Sequence, residues 1–343
     1  MTLRLFRIFS ILVIVSLLVV ACGKDEKGDG ANEADDTHEF RVGGMSPEDN
    51  PITIALQDYA DRIEDETDGR ITFDIYPANE LGDYTSMYDE VIKGTIDMGL
   101  FSLPNELDDR NAIDALPYLV TNYDQVPDMY GVDAYAYNKM AELMDEQGVH
   151  MLGIRTLGFA GVGSSKEITD PAETTSDKDL LVRVPQNKIY QKYAESMGFS
   201  TVSIPYADIF SAIQTGTADG IIGAQPAASY LSFRDVIENY YQYNYSFEAM
   251  PLMINQDIWE DLSDEDQEIM EKAGEDFTER AFEEAKEIDE EYLEEMKEEG
   301  INVVEFSDEE LEAFAEHARN EVWPYARETL GEDIVDELLE EVK

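Results

Sequence analysis

Apolar positions along the chain follow two periods that take turns, two residues in short stretches and three to four in longer ones, the marks of strands and amphipathic helices. Phe40 to Gly43 reads as a short strand. Asn50 and Pro51 suit an N-cap and a first helical position, and Ile52, Leu56, Tyr59, Ala60 and Ile63 then recur at helical spacing up to a stop at Gly69. Ile71, Phe73 and Ile75 alternate with Thr72, Asp74 and Tyr76 as in a strand. Met87, Val91 and Ile92 mark a helix stopped at Gly94, and 96–101 reads as a third strand. Three strands joined by two helices predict parallel pairing through right-handed crossovers, hence an α/β fold. After a helical region around 123–147 the rhythm resumes, with strands at 151–156, 181–184, 201–204 and 220–223 and helices at 189–197 and 206–214, a second α/β unit. Beyond Leu262, Ser263 opens a long charged helix with no Gly or Pro between Gly274 and Gly300. A strand at 301–306 and a helix opened by Ser307 and Glu310 complete the chain.

The N-terminus departs from this rhythm. Arg4 and Arg7 precede an apolar run from Ile8 to Val20, too short to span a bilayer comfortably, which is the pattern of a signal peptide. It ends in Val19, Val20, Ala21 and Cys22, and that junction resembles a bacterial lipoprotein cleavage site. The resemblance implies that 1–21 is a lipoprotein signal peptide, that Cys22 carries lipid, and that the chain is exported and anchored to the outer face of the cell membrane or held in the periplasm. Cys22 is the single cysteine, so no disulfide forms within one chain. Residues 22–38 are polar and Gly-rich and read as a flexible acidic tether. The remainder exceeds one compact core and predicts two lobes.

Charge narrows the function classes. With 24 basic against 77 acidic residues the net charge is −53, which repels nucleic acid and other polyanions. A surface so acidic is expected to gain from salt, which screens its self-repulsion. His38, His150 and His317 stand apart from one another and from Cys22, without metal-ligand spacing. No serine sits in a nucleophile elbow, and Gly158, Gly161 and Gly163 do not match a dinucleotide fingerprint and read as a hinge or loop. No metal, cofactor or catalytic residue is expected, and the chain is not expected to be an enzyme.

Several segments, in collinear order from about residue 39 onward, resemble the substrate-binding proteins of tripartite ATP-independent periplasmic (TRAP) transporters, the DctP-like solute-binding protein family 7. They include Thr67-Asp68-Gly69-Arg70-Ile71, Tyr76-Pro77, Glu80-Leu81-Gly82-Asp83, Gly94-Thr95-Ile96-Asp97-Met98 and Leu116-Pro117-Tyr118. In the second half they include Leu181-Val182-Arg183-Val184-Pro185, Ile204-Pro205-Tyr206 and the run from Ala212 to Gly220. The resemblance implies a two-lobed, periplasmic-binding-protein-like fold (type II-like) with a hinge and a long helix packing across both lobes. Lobe I is expected at 39–156 plus about 250–290, and lobe II at 157–249 plus about 291–343. It also implies a cleft that closes over a small organic acid, and delivery of that acid to the small and large TRAP membrane permease subunits.

Within that resemblance Arg183 is the carboxylate anchor, and its planar fork suits two parallel hydrogen bonds to a carboxylate. Tyr206 is expected to pack against the ligand and Gln186 to hydrogen-bond it. Met45, Tyr84, Phe101 and Ser102 lie at strand ends or helix starts of the first lobe, where α/β sheets bind ligands. Where many members carry Asn four residues after the Asp of the Asp-Gly pair, this chain has Gly223, and Gln225 is expected to compensate. Some members also place a further arginine in the strand before the hinge, where the nearest candidate here is Arg155, and the two departures argue against sialic acid and any doubly anchored acid and leave a smaller monocarboxylate, a dicarboxylate or a zwitterion open.

Overall fold

The structure, a computed structural model, describes residues 37–156 and 158–341. The expected signal peptide, Cys22 and nearly all of the tether therefore lie outside the described residues. In chain order the first elements are β1 (His38–Gly44), α1 (Pro51–Glu66), β2 (Ile71–Tyr76), α2 (Tyr84–Ile92), β3 (Met98–Leu100), α3 (Val126–Tyr130), α4 (Tyr135–Asp145) and β4 (Val149–Arg155). There follow β5 (Gly161–Ser164), β6 (Leu181–Val184), α5 (Lys188–Ser196), β7 (Ser200–Ser203), α6 (Ile209–Gln214), β8 (Gly220–Ala224), α7 (Pro226–Phe233) and β9 (Asn239–Tyr241). The last are β10 (Met250–Asn255), α8 (Gln256–Asp261), α9 (Asp264–Glu299), β11 (Asn302–Val304), α10 (Asp308–Glu321), α11 (Trp323–Leu330) and α12 (Glu332–Glu341).

Two sheets form the two lobes. One runs β2-β1-β3-β10-β4 and the other β11-β9-β5-β8-β6-β7. The expected parallel pairing holds for β1 with β2 and β3, and for β6 with β7 and β8. The antiparallel strands are β10, inserted between β3 and β4, and β5, inserted between β8 and β9. Both adjoin the segments that carry the chain from one sheet to the other, after β4 and before β10. Gly161 and Gly163, expected in a hinge or loop, lie in β5, while Gly158 belongs to the crossing segment with φ of +102°. The crossings touch each other through a bridge between Phe159 and Phe247, whose rings meet edge to face at 5.3 Å.

α9 links the lobes, packing on β4 and α1 of one and on α7 and β11 of the other. Ser263 caps it by accepting from the Asp266 amide, and Gly300 closes it in the left-handed region. Its passage over β4 needs a gap in the side-chain layer. A Cβ on Gly274 would lie 1.9 Å from the Leu152 carbonyl oxygen, so only glycine admits this approach. Thr278 Oγ1 accepts from the Ile154 amide at 2.9 Å, tying the helix to the strand. The chain ends in three helices where one was expected. Of this stretch, expected in lobe II, α10 packs on α5, but α11 packs on a 3-10 segment at Asp109–Ala115 and α12 on α4. Among the described residues no helix is long and apolar enough to cross a membrane.

Candidate functional site

The carboxyl ends of β1, β3, β6 and β8 converge on one cavity of roughly 750 Å³, counting its open mouth, and both lobes line it. Met45 follows β1 and Ser102 follows β3. Tyr84 opens α2, whose N-cap Asp83 accepts from the Thr85 amide. From the other lobe come Arg183 in β6, Tyr206 after Pro205, and Gln225 between β8 and α7.

Arg183 is 5% exposed. Its Nε donates to the Ile204 carbonyl at 2.7 Å, which fixes the guanidinium plane, and its Cζ sits 6.0 Å from the centroid of the Tyr206 ring. Among the described residues no carboxylate lies within ion-pair distance of it. Burial pulls its pKa down from the ordinary guanidinium value, with the neighbouring tyrosines acting the other way. A guanidinium stays charged in proteins, so this cation stands desolvated and unneutralised in the cavity wall.

Two expected residues lie elsewhere. Phe101 is fully buried, its ring so close to the β3 backbone that a Cβ on Gly99 would lie 2.3 Å from it. The alternation of β3 carries on just past its end at Leu100, with Phe101 on the core side beside Gly99 and Ser102 facing the cavity. Gln186 is exposed and does not line the cavity. Asn187 next to it turns inward to cap α5, accepting from the Ile189 and Tyr190 amides, while Pro185 lines the cavity. Arg155 is also remote, pairing with Glu284 of α9 at 2.7 Å.

Gly223 lines the cavity at φ of +105°, and a Cβ there would lie 3.0 Å from both Tyr190 Cε1 and Tyr245 Oη. These two tyrosines, edge to face at 5.6 Å, occupy the room a longer side chain would need. The Gln225 carboxamide reaches across to a carboxylate, donating to Glu248 Oε2 at 2.7 Å.

Glu248 and Asp114 are the acids among the lining residues that the sequence reading missed. Glu248 Oε1 accepts from Ser102 Oγ, so one carboxylate holds a side chain from each lobe. Asp114, 9% exposed, lies in the 3-10 segment. Burial first, and the charge of Glu248 next, hold its carboxyl well above the usual range. Their signal was faint: single acids between apolar neighbours, in a chain of 77 acids. Among the described residues no group of His, Cys, Asp or Glu is arranged to hold a metal. His150 stacks on Trp259 at 4.4 Å, and His317 bonds the Ser196 carbonyl oxygen through Nε2 at 2.9 Å.

Comparison with known proteins agrees with this architecture. Residues 42–328 match the sequence profile of DctP, described as bacterial extracellular solute-binding protein, family 7. The sialic acid-binding periplasmic protein SiaP of Vibrio cholerae is 26% identical over 288 residues, 81% of this chain and 85% of that one. The ectoine-binding periplasmic protein TeaA of Halomonas elongata is 24% identical over 302 residues, covering 84% and 86%. A TRAP periplasmic solute-binding protein from Haemophilus influenzae, solved with bound L-gulonate, superposes with a TM-score of 0.80 at 22% identity, over 89% of this chain and all of that one. The sugar acid binding protein DctPAm from Advenella mimigardefordensis, in complex with galactonate, gives 0.81 at 20% identity over 89% and 98%. The profile spans most of the chain, both lobes included, and the chain therefore belongs to bacterial extracellular solute-binding protein family 7, the DctP family of TRAP substrate-binding proteins, which bind solutes for transport and are not enzymes.

Proposed function

We propose that this protein captures a small organic acid in the cavity between its lobes, with the ligand carboxylate on Arg183, and delivers it to the TRAP membrane permease subunits. One observation carries the reading: a buried guanidinium, oriented by Ile204 and backed by Tyr206, that faces the cavity without a carboxylate partner. A buried cation in this state is costly unless an anion arrives, and its free Nη fork suits a planar carboxylate. Met45, Tyr84, Ser102 and Gln225 complete the binding wall, and Gln186 and Phe101 do not join it. Solutes named for the relatives, sialic acid, ectoine and sugar acids, lend support to a small organic acid of this size. The lobes are proposed to divide near the crossings at 156–160 and 242–249, and Cys22 is proposed to carry the lipid that keeps the protein at the membrane.

Calorimetric titration with a panel of organic acids tests the site. Arg183→Ala is expected to weaken binding by about 2–5 kcal/mol, and Arg183→Lys to recover only part of it, because an ammonium cannot offer two parallel bonds. A variant without Arg183 that binds carboxylates as tightly as the parent refutes the assignment. Cys22→Ala is expected to release the protein from the membrane fraction.

A further inference from the structure

The cavity holds more than its guanidinium. Glu248 and Asp114 face the same space, and neither has an ion-pair partner among the described residues. Neither forms an ion pair with Arg183, so the cavity wall carries a cation and two acids that do not meet. We propose that Glu248, assisted by Asp114, selects the ligand by accepting from a hydrogen-bond donor, hydroxyl or ammonium, on the part of a monocarboxylate remote from Arg183, and that it turns dicarboxylates away. This inference rests on the reading that Arg183 holds the carboxylate.

The geometry of Glu248 supports that role. A carboxylate offers about four acceptor positions, and Ser102 and Gln225 use one on each oxygen. Both bonds come from neutral groups, so the carboxylate is held in place without being neutralised, and each oxygen keeps a lone pair for the ligand. Its two anchors belong to different lobes, so a ligand that meets Glu248 also meets the joint between them. Asp114, kept towards its neutral form by burial and by Glu248, adds a group able to donate or accept. A second ligand carboxylate would be brought against the charge of Glu248 in a cleft poorly screened by water, and juxtaposed like charges are strongly unfavourable there. With the first carboxylate already matched to Arg183, no other cation among the described residues lines the cavity to receive a second.

Three six-carbon acids separate the possibilities: gluconate, ε-aminocaproate and adipate each offer a carboxylate, and gluconate adds hydroxyls along its chain where the other two end in an ammonium or a second carboxylate. In calorimetry on the whole protein, gluconate or ε-aminocaproate is expected to bind at least about tenfold more tightly than adipate. Preference for gluconate identifies hydroxyl donors, and preference for ε-aminocaproate identifies the ammonium. Glu248→Gln is expected to weaken the preferred acid about tenfold, more for ammonium than for hydroxyl because the amide keeps an acceptor but loses the charge, and to improve adipate. Adipate binding the parent as tightly as the other two overturns the inference, as does an unchanged ranking in Glu248→Gln. Should that variant fold poorly, the ranking in the parent alone decides. If binding still depends on Arg183 in those cases, the carboxylate reading stands and only the role of Glu248 falls; if none of the panel binds, both fall together.

Discussion

A shift of a single position just past a strand end decides what a side chain can do in this protein. Ser102 reaches the cavity and Phe101 the core, and Asn187 turns inward while Gln186 meets solvent. Gln186→Ala is accordingly expected to leave ligand affinity unchanged in the titration that Arg183→Ala weakens. Gly223 sits where the backbone is left-handed and two tyrosines crowd the missing Cβ. Gly223→Asn is expected to destabilise the fold by about 1–3 kcal/mol, from backbone strain and overpacking together, which chemical denaturation measures. Arg183 was named from the sequence through the Arg183-Val184-Pro185 motif that carries the family resemblance, and the fold sets it in the cavity wall. Asp114 and Glu248 were not, because the chain carries 77 acids and nothing local marks which of them the fold will enclose.

Among the elements, α9 carries a buried acid beside the crossing between the lobes. Asp289 is 6% exposed, and its Oδ2 accepts from Tyr123 Oη and from the Phe159 amide at 3.1 Å, in the segment that crosses between the sheets. Its Oδ1 has no hydrogen-bond partner among the described residues. Burial pushes its carboxyl up to about 8, against the pull of those two donors, with Glu290 adding repulsion along the helix. Unfolding returns the group to the ordinary carboxylate range, so between about pH 4 and 8 the unfolded chain binds fewer protons than the native one at this site. Its contribution to stability is therefore present in acid and is lost as pH rises through about 8. Asp289→Asn, neutral throughout, is expected to flatten that part of the stability profile, measured by melts between mildly acidic and mildly alkaline buffer. An unchanged slope argues against the burial of this carboxyl.

Across the whole molecule the acid excess sets the conditions of stability. A net charge of −53 on a chain of this length works against compactness wherever screening is weak. The Debye length falls from about 10 Å at 0.1 M salt to about 3 Å at 1 M. That range suppresses repulsion between distant surface acids far more than the contact of a ligand with a buried guanidinium. The melting temperature is thus expected to rise from dilute buffer to molar NaCl, with ligand affinity maintained or improved. A melting temperature indifferent to salt excludes this account of the surface charge.

Local chemistry alone settled much of the architecture. The N-cap at Asn50, the start of α9 at Ser263 and its end at Gly300, and the capping box of Ser307 with Glu310 all appear as expected, because caps act within one turn of the chain. The parallel strands β1 to β3 and β6 to β8 were legible as well, since each alternates with a helix. β5 and β10 were not: β5 is Gly-Val-Gly-Ser, and β10 is buried along its whole length and contains Pro251, so neither shows a period. Their partners lie far away in sequence, and only the passage of the chain between two sheets makes them strands. The same holds for the cavity. Sequence named a cation able to grip an acid, whereas the acids that face the same space reached it through long-range convergence, which no local pattern encodes.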